Sequence, residues 1–181
     1  MYLYKGESMR KLILGASLIV VVAVSRFLPH PPNVVPLTAM ALAGGVYLEK
    51  RFALLIPLLA LFLSDVFLGF HATMPFVYGC FIATGLIGLW LQAHKKPFII
   101  LGGAIVSSVL FFAVTNFGVW LTGGGWNYPR TMNGLFECYV LAIPFFRNSL
   151  IGDIMYTAVL FGLFEIIEYT VRSTSKPQPM Q

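Results

Sequence analysis

Charge is what this 181-residue chain has least of: 10% of its residues are Asp, Glu, Lys or Arg, where about a quarter is usual. With 58% hydrophobic residues, a water-soluble fold of this length could not cover itself with polar surface. Soluble enzymes, nucleic-acid readers and disordered chains are excluded on that ground. Cysteine is also scarce, with only Cys80 and Cys138, so neither a disulfide framework nor a C-x-x-C redox pair is present. Three scattered histidines make no structural zinc site, and there is no H-E-x-x-H helix. The chain has no G-x-x-x-x-G-K-[ST] loop, so it does not itself use ATP through a P-loop. Gly123-Gly124-Gly125 lacks the strand-then-helix setting of a phosphate cradle, and no nucleophile–base pair for hydrolysis is visible.

What the chain has instead is long apolar runs. A membrane-spanning helix needs about 20 mostly apolar residues. Residues 12–28, 52–68, 75–91, 98–121 and 148–171 qualify, and residues 37–48 form a shorter sixth run. That run carries Ala39, Ala41, Ala43, Gly44 and Gly45, small residues suited to close helix packing. The expected fold is therefore all-α: one integral membrane domain over residues 1–181, with six transmembrane helices and both termini on one side.

The basic residues orient this bundle. With the N-terminus cytoplasmic, Lys5, Arg10, Lys11, Lys50, Arg51, Lys95, Lys96, Arg172 and Lys176 lie inside, nine of the twelve. Arg26, Arg130 and Arg147 fall outside. The positive-inside rule selects that arrangement, so the net charge of +5 records topology and needs no nucleic acid. A cleaved leader ending at Ala23-Val24-Ser25 is the competing reading of the first run; a retained span is expected. The outer connections are the elaborate ones. They comprise a proline-rich link, His30 to Pro36, and an outer loop over 122–147. That loop reads TGGGWNYPRTMNG and then a twelve-residue apolar stretch, too short to span and expected as a re-entrant or interfacial helix.

Ionisable residues near apolar spans are functional candidates by default. Arg26, His30, Asp65, His71, Arg147 and Asp153 concentrate toward the outer half and suggest a polar cavity opening outward. Each also has a structural reading. Asp153 would complement the positive end of a last helix starting near Asn148, Arg147 would snorkel outward, Asp65 would pair with Arg26, and Glu168 would pair with Arg172 four residues on. Cys80 is the sharpest single residue. Five residues after Pro75, its thiol sits about 7–8 Å below the outer end of its helix. A thiolate there could bind a transition metal or act as a nucleophile. It could equally be a small buried hydrophobe, or join Cys138 in a disulfide.

Taken in order, RFLPHPPNVVPLTAMALAGG (26–45), SDVFLGFH (64–71), PFVYGC (75–80), GGGWNYPR (123–130) and FRNSLIGD (146–153) cover most of the chain. In this the sequence resembles the BtuM family, solitary substrate-binding S-components of energy-coupling-factor (ECF) vitamin B12 transporters. The resemblance implies an S-component-like bundle in a bacterial inner membrane, with a corrinoid bound in a periplasm-facing pocket. It implies Cys80 as an axial ligand to the cobalt of cobalamin, with loss of cyanide from cyanocobalamin as a possible Cys80-dependent reaction. By ligand shape, Trp126 and Tyr128 would cover the corrin face, and Asp65, Asn148 and Asp153 would meet its amides. Arg130 or Arg147 would take the phosphate. The docking surface for a shared energising module is degenerate here, Ala16 with Val20 four on, so the protein is expected to act alone or with another partner. The readings kept beside this one are a membrane thiol redox enzyme using Cys80 and Cys138, and a haem-binding membrane protein using Cys80 or His71.

Overall fold

The computed structural model describes residues 36–123 and 127–174, Val34, and six positions of the first apolar run. Side chains are described as far as residue 170. Arg26, His30 and Trp126 lie outside the described residues, as does most of residues 12–28; Ile13, Ala16, Ser17, Ile19, Val20 and Val24 of that run are helical.

Every element among the described residues is an α-helix. In chain order they are α1 (Leu37–Tyr47), α2 (Lys50–Ala53), α3 (Leu55–Leu68), α4 (Met74–Leu91), α5 (Pro97–Thr122) and α6 (Met132–Thr174). Among the described residues, four stretches are long and apolar enough to cross a bilayer: Lys50–Leu68, Met74–Leu91, Pro97–Thr122 and Met132–Thr170. The surface is inverted relative to a soluble protein, as a membrane chain requires. On α3, Asp65 is 2% exposed while Phe67, two residues on, is 78% exposed. Ser107, Ser108, Asp153 and Thr157 are likewise buried, while Val106, Val109, Ile151 and Met155 face outward.

The short helix α1 is the hub. Residues Leu37 to Val46 are all buried, packed mainly against α4 and α6. Its small residues permit this, because the backbones of α1 and α4 meet directly. A Cβ on Gly45 would strike Gly85 O and stand 2.7 Å from Gly88 Cα; a Cβ on Gly88 would strike Leu42 O. With no apolar driving force between helices in lipid, such close backbone approach supplies the dispersion contact that holds the pair.

Where α1 ends, its last carbonyls lack intrahelical partners. Gln92, just beyond α4, fills that gap by donating from Nε2 to Gly45 O at 2.8 Å and to Leu48 O at 3.0 Å. Gln92→Leu should therefore lower stability by about 1–3 kcal/mol, the cost of leaving buried acceptors unpaired. Thermal unfolding in detergent measures this, and an unchanged midpoint would mean that water takes over the role.

The same end of the bundle gathers charge. Tyr47 donates to Glu165 Oε1 at 2.9 Å and stacks on Phe164, while Lys95 lies over the Tyr47 ring and 3.5 Å from Glu168. Glu168 thus pairs across helices with Lys95, an ion pair that spacing along α6 does not reveal. Lys50, Arg51, Lys95 and Lys96 follow or precede the helix ends that meet here.

At the opposite end, α5 stops at Gly123, whose φ of 79° is left-handed backbone that favours glycine, with its N–H returned to Val119 O at 2.9 Å. The chain re-enters helix at Met132 and then continues for 43 residues with Pro144 inside. Sequence reading separates an interfacial helix from a last span starting near residue 148; the structure joins them. Proline removes one backbone donor and crowds the preceding turn, yet α6 absorbs this within one helix. At about 1.5 Å per residue α6 is roughly 65 Å long, twice a bilayer's hydrocarbon core.

Candidate functional site

The continuity of α6 changes what Asp153 is. It stands in the middle of a helix, far from any positive dipole end, so dipole complementation does not account for it. It is 4% exposed, and its partners are hydroxyls: Ser108 Oγ on α5 lies 2.6 Å from Oδ2, and Thr38 at the start of α1 supplies a second. Three helices are tied together at this carboxyl.

Above it opens a cavity of about 600 Å³ between the first turn of α1, the C-terminal half of α5 and the N-terminal half of α6. Phe111, Phe112, Phe145 and Phe146 stand in its walls, and Thr38, Ser108 and Asp153 form its polar floor. Phe112 lies against Phe146 at 4.6 Å between centroids and edge-on to Tyr139 at 5.6 Å, so the aromatic wall is itself packed. Thr115 and Asn116 back-bond to Phe111 O and Phe112 O, which leaves the amide oxygen of Asn116 as an acceptor.

Tyr128 stands among the lining residues, in the segment linking α5 to α6. That segment is held by Trp120 Nε1 donating to Pro129 O at 3.0 Å, and by Gly134, where a Cβ would strike Pro129 O. Burial pushes the Tyr128 phenol up, with Cys138 and Glu137 adding to it, so it remains a proton donor through the physiological range. The cavity lies in the half of the bundle away from Lys50, Arg51, Lys95 and Lys96.

Of the residues singled out by sequence, Tyr128, Cys138 and Asp153 line this cavity. Asp65 is buried on α3 and accepts from Tyr78 OH at 3.0 Å, outside the lining. Arg130 and Arg147 are exposed, and Asn148 is half-buried; none lines the cavity. His71 is exposed and bonded to Thr73 Oγ1 at 2.8 Å. Cys80 is buried with its sulfur 4.0 Å from Leu110 O, outside the cavity lining. Cys138 is the thiol within the lining, 3.4 Å from Asn116 O. Both cysteines are free. Leu110 and Asn116 are six residues apart on α5, which is about 9 Å of rise and about one and two-thirds turns, so the thiols sit at different levels and on different flanks of that helix.

The chain matches, over residues 7–176, the model of a family of unknown function, DUF6580. It belongs to that family. No curated protein and no solved structure matches it. The family match spans every helix described above, so the cavity lies wholly within the family's domain. Among the described residues, no cluster of three or more His, Cys, Asp or Glu could hold a metal ion.

Thr38, Ser108, Phe111, Phe112, Thr115, Asn116 and Ser149 complete a site that sequence reading did not assemble. One signal was available. Ser108 and Thr115 are seven residues apart in a mostly apolar 26-residue helix, a spacing that puts both on one face. The placement of the thiols carries a direct prediction. A small, membrane-permeant thiol reagent should label Cys138 at least about tenfold faster than Cys80, because a lined cavity gives access and a packed helix flank does not. Peptide mass mapping of the labelled protein reads this. Equal labelling, or Cys80 first, would mean that α4 and α5 part readily in solution.

Proposed function

We propose that this chain is a six-span transport or binding protein of a bacterial inner membrane, with both termini cytoplasmic. In this reading it takes a corrinoid of cobalamin type into the cavity between α1, α5 and α6. The observation that carries the transport reading is the cavity itself. Deep aromatic walls over a buried Thr38–Asp153–Ser108 floor, in the half of the bundle away from the basic loops, suit capture of a solute from the outer face. The corrinoid rests on the sequence resemblance. Its amide rim offers N–H groups to Asp153 and Asn116, and its flat ring suits the phenylalanine walls and Tyr128. A corrinoid is bulkier than the drug-sized ligands that fill cavities of about 300–1,000 Å³, so part of it would remain at the mouth, beside Arg130 and Arg147. With no nucleotide-binding loop in the chain, energy comes from the solute gradient, a coupled ion or a partner.

Cobalt ligation by Cys80 is the finer part of this reading. The Cys80 sulfur lies on the α4 side of α5 at Leu110, so ligation calls for α4 and α5 to separate when the vitamin enters. Decyanation would follow from sulfur donating to cobalt and weakening a cyanide on the opposite face. The redox-pair alternative gains no support from thiols held on different flanks of one helix.

The test is the visible spectrum of the detergent-purified protein with cyanocobalamin, beside Cys80→Ala and Asp153→Ala. Binding with a band shift lost only in Cys80→Ala supports transport and cobalt ligation together. Binding that depends on Asp153 and not on Cys80 keeps the cavity as the site and removes the ligation. A protein that stays folded and binds no corrinoid removes the vitamin from the reading.

A further inference from the structure

The floor of the cavity contains a hydrogen-counting conflict. Ser108 Oγ lies 2.9 Å from Ala104 O and 2.6 Å from Asp153 Oδ2, both at donor–acceptor distance. A serine hydroxyl has one hydrogen and can point it along only one of these lines. Two complete arrangements follow. In the first, Ser108 donates to Ala104 O and Asp153 is a carboxyl whose O–H donates to Ser108 Oγ. In the second, Asp153 is a carboxylate and Ser108 turns its hydrogen toward Oδ2. Ala104 O remains satisfied in the second, because it also takes a backbone N–H within the helix. Neither arrangement strands a buried group, so gain or loss of one proton needs only a hydroxyl rotation.

The surroundings fit a group that exchanges protons. α1 and α5 bring no Asp, Glu, Lys, Arg or His. α4, packed against both, brings none either. On α6 and its approach, the other titratable groups lining the cavity are Cys138 and Tyr128. Among the described residues no basic side chain pairs with Asp153, and its carboxyl meets only the Ser108 and Thr38 hydroxyls. In apolar surroundings an isolated carboxylate without a cation is costly.

We propose that Asp153 is a proton-exchange site that couples occupancy of the cavity to proton movement. The empty cavity holds the carboxyl arrangement. A ligand N–H or cationic group entering above it takes over as partner to Oδ2, the Asp153 O–H bond breaks, and the proton leaves through the cavity mouth to water. A cationic donor replaces the charge of the departed proton, whereas a neutral N–H leaves one negative charge on Asp153, held by hydrogen bonds from the ligand, Ser108 and Thr38. This rests on the reading of the cavity as the ligand site and not on the ligand being a corrinoid.

Infrared difference spectroscopy of the ligand-free protein, between about pH 5 and about pH 9, tests it without any solute. A protonated-carboxyl band lost at the higher pH, absent in Asp153→Asn and shifted in frequency in Ser108→Ala, is the expected result. The serine variant keeps the test decisive where Asp153→Asn does not fold. A band that never responds to pH, or no band dependent on Asp153 or Ser108 at either pH, overturns the proposal. With cyanocobalamin added in weak buffer, about one proton should be released per corrinoid bound. Binding without release overturns the coupling. Absence of binding sinks the corrinoid reading and leaves the infrared result to decide the carboxyl.

Discussion

Gly45→Leu is expected to abolish the folded protein. Gly45 on α1 meets Gly88 on α4 backbone to backbone, and a Cβ there would already lie 2.7 Å from Gly88 Cα and closer still to Gly85 O. Neither contact is the end of a flexible side chain, so nothing local can yield. The helices would have to move apart by more than the added methylene, and α1 is the element on which α4 and α6 both pack. Overpacking costs typically about 1–3 kcal/mol, and more where backbone blocks relaxation. A loss of about 3 kcal/mol or more is expected, enough to empty the folded state of a marginally stable domain. The measurement is the yield of monodisperse protein after detergent extraction, with its thermal midpoint. Gly79→Ala is the matched control: a Cβ there meets nothing within 4 Å, and Ala is about 1 kcal/mol better than Gly in a helix. The control should be neutral to stabilising. If Gly45→Leu matched it, α1 would not lie against α4 as described.

Asp153→Ala should have the largest effect on ligand capture. The substitution removes the carboxyl group of the cavity floor and leaves the Ser108 and Thr38 hydroxyls facing a void. Truncating one side of a buried, hydrogen-bonded charged contact costs about 2–5 kcal/mol, an affinity loss of about 30-fold or more. Asp153→Asn, which keeps the shape and loses the charge, should lie between the two proteins and bind with no dependence on pH. Titration of detergent-solubilised protein with cyanocobalamin measures both. Asp65→Asn supplies the contrast, because Asp65 is engaged with Tyr78 away from the cavity. Its effect should fall on stability and leave affinity within about threefold. Equal losses at Asp65 and Asp153 would mean that the ligand occupies the space nearer α3 and α4, where Cys80 also lies.

Much of the architecture was legible residue by residue. The apolar runs over 52–68, 75–91 and 98–121 correspond within two residues to helical stretches Lys50–Leu68, Met74–Leu91 and Pro97–Thr122, because length and hydropathy are properties of a segment by itself. The small residues of 37–48 correctly announced close packing, since only a helix without bulk can place its backbone against another. Residues 122–147 were read less well. The twelve-residue apolar stretch before Arg147 is too short to span and so reads as a separate piece, whereas α6 runs through both with Arg147 exposed on its surface.

The site followed the same division. Asp153 and Tyr128 were recognisable from their chemistry, since a carboxylate in an apolar span and a tyrosine in a glycine-rich outer loop are conspicuous as residue types. Thr38, Ser108 and Asn116 were not, because hydroxyls and amides in apolar helices commonly bond back to their own backbone and become a site only when helices converge. Cys80 and Cys138 show this most sharply. By sequence Cys80 stands out, five residues after Pro75 in an apolar span, and Cys138 in the outer loop enters only as its partner. Rotation about α5 puts Cys138 in the cavity wall and Cys80 on the other flank.

The sequence by itself determined that this is a helical chain for a membrane, which segments are long enough to cross, and which side chains are too polar for lipid. Hydrophobic transfer acts on each segment separately and needs no partner. Which polar groups share a cavity, which cysteine reaches it, and that Glu168 finds Lys95 and Asp153 finds Ser108, were decided by the tertiary structure alone. Those pairings depend on the rotation and depth of each helix, set by backbone contacts such as Gly45 on Gly88 that join residues 43 positions apart in the chain.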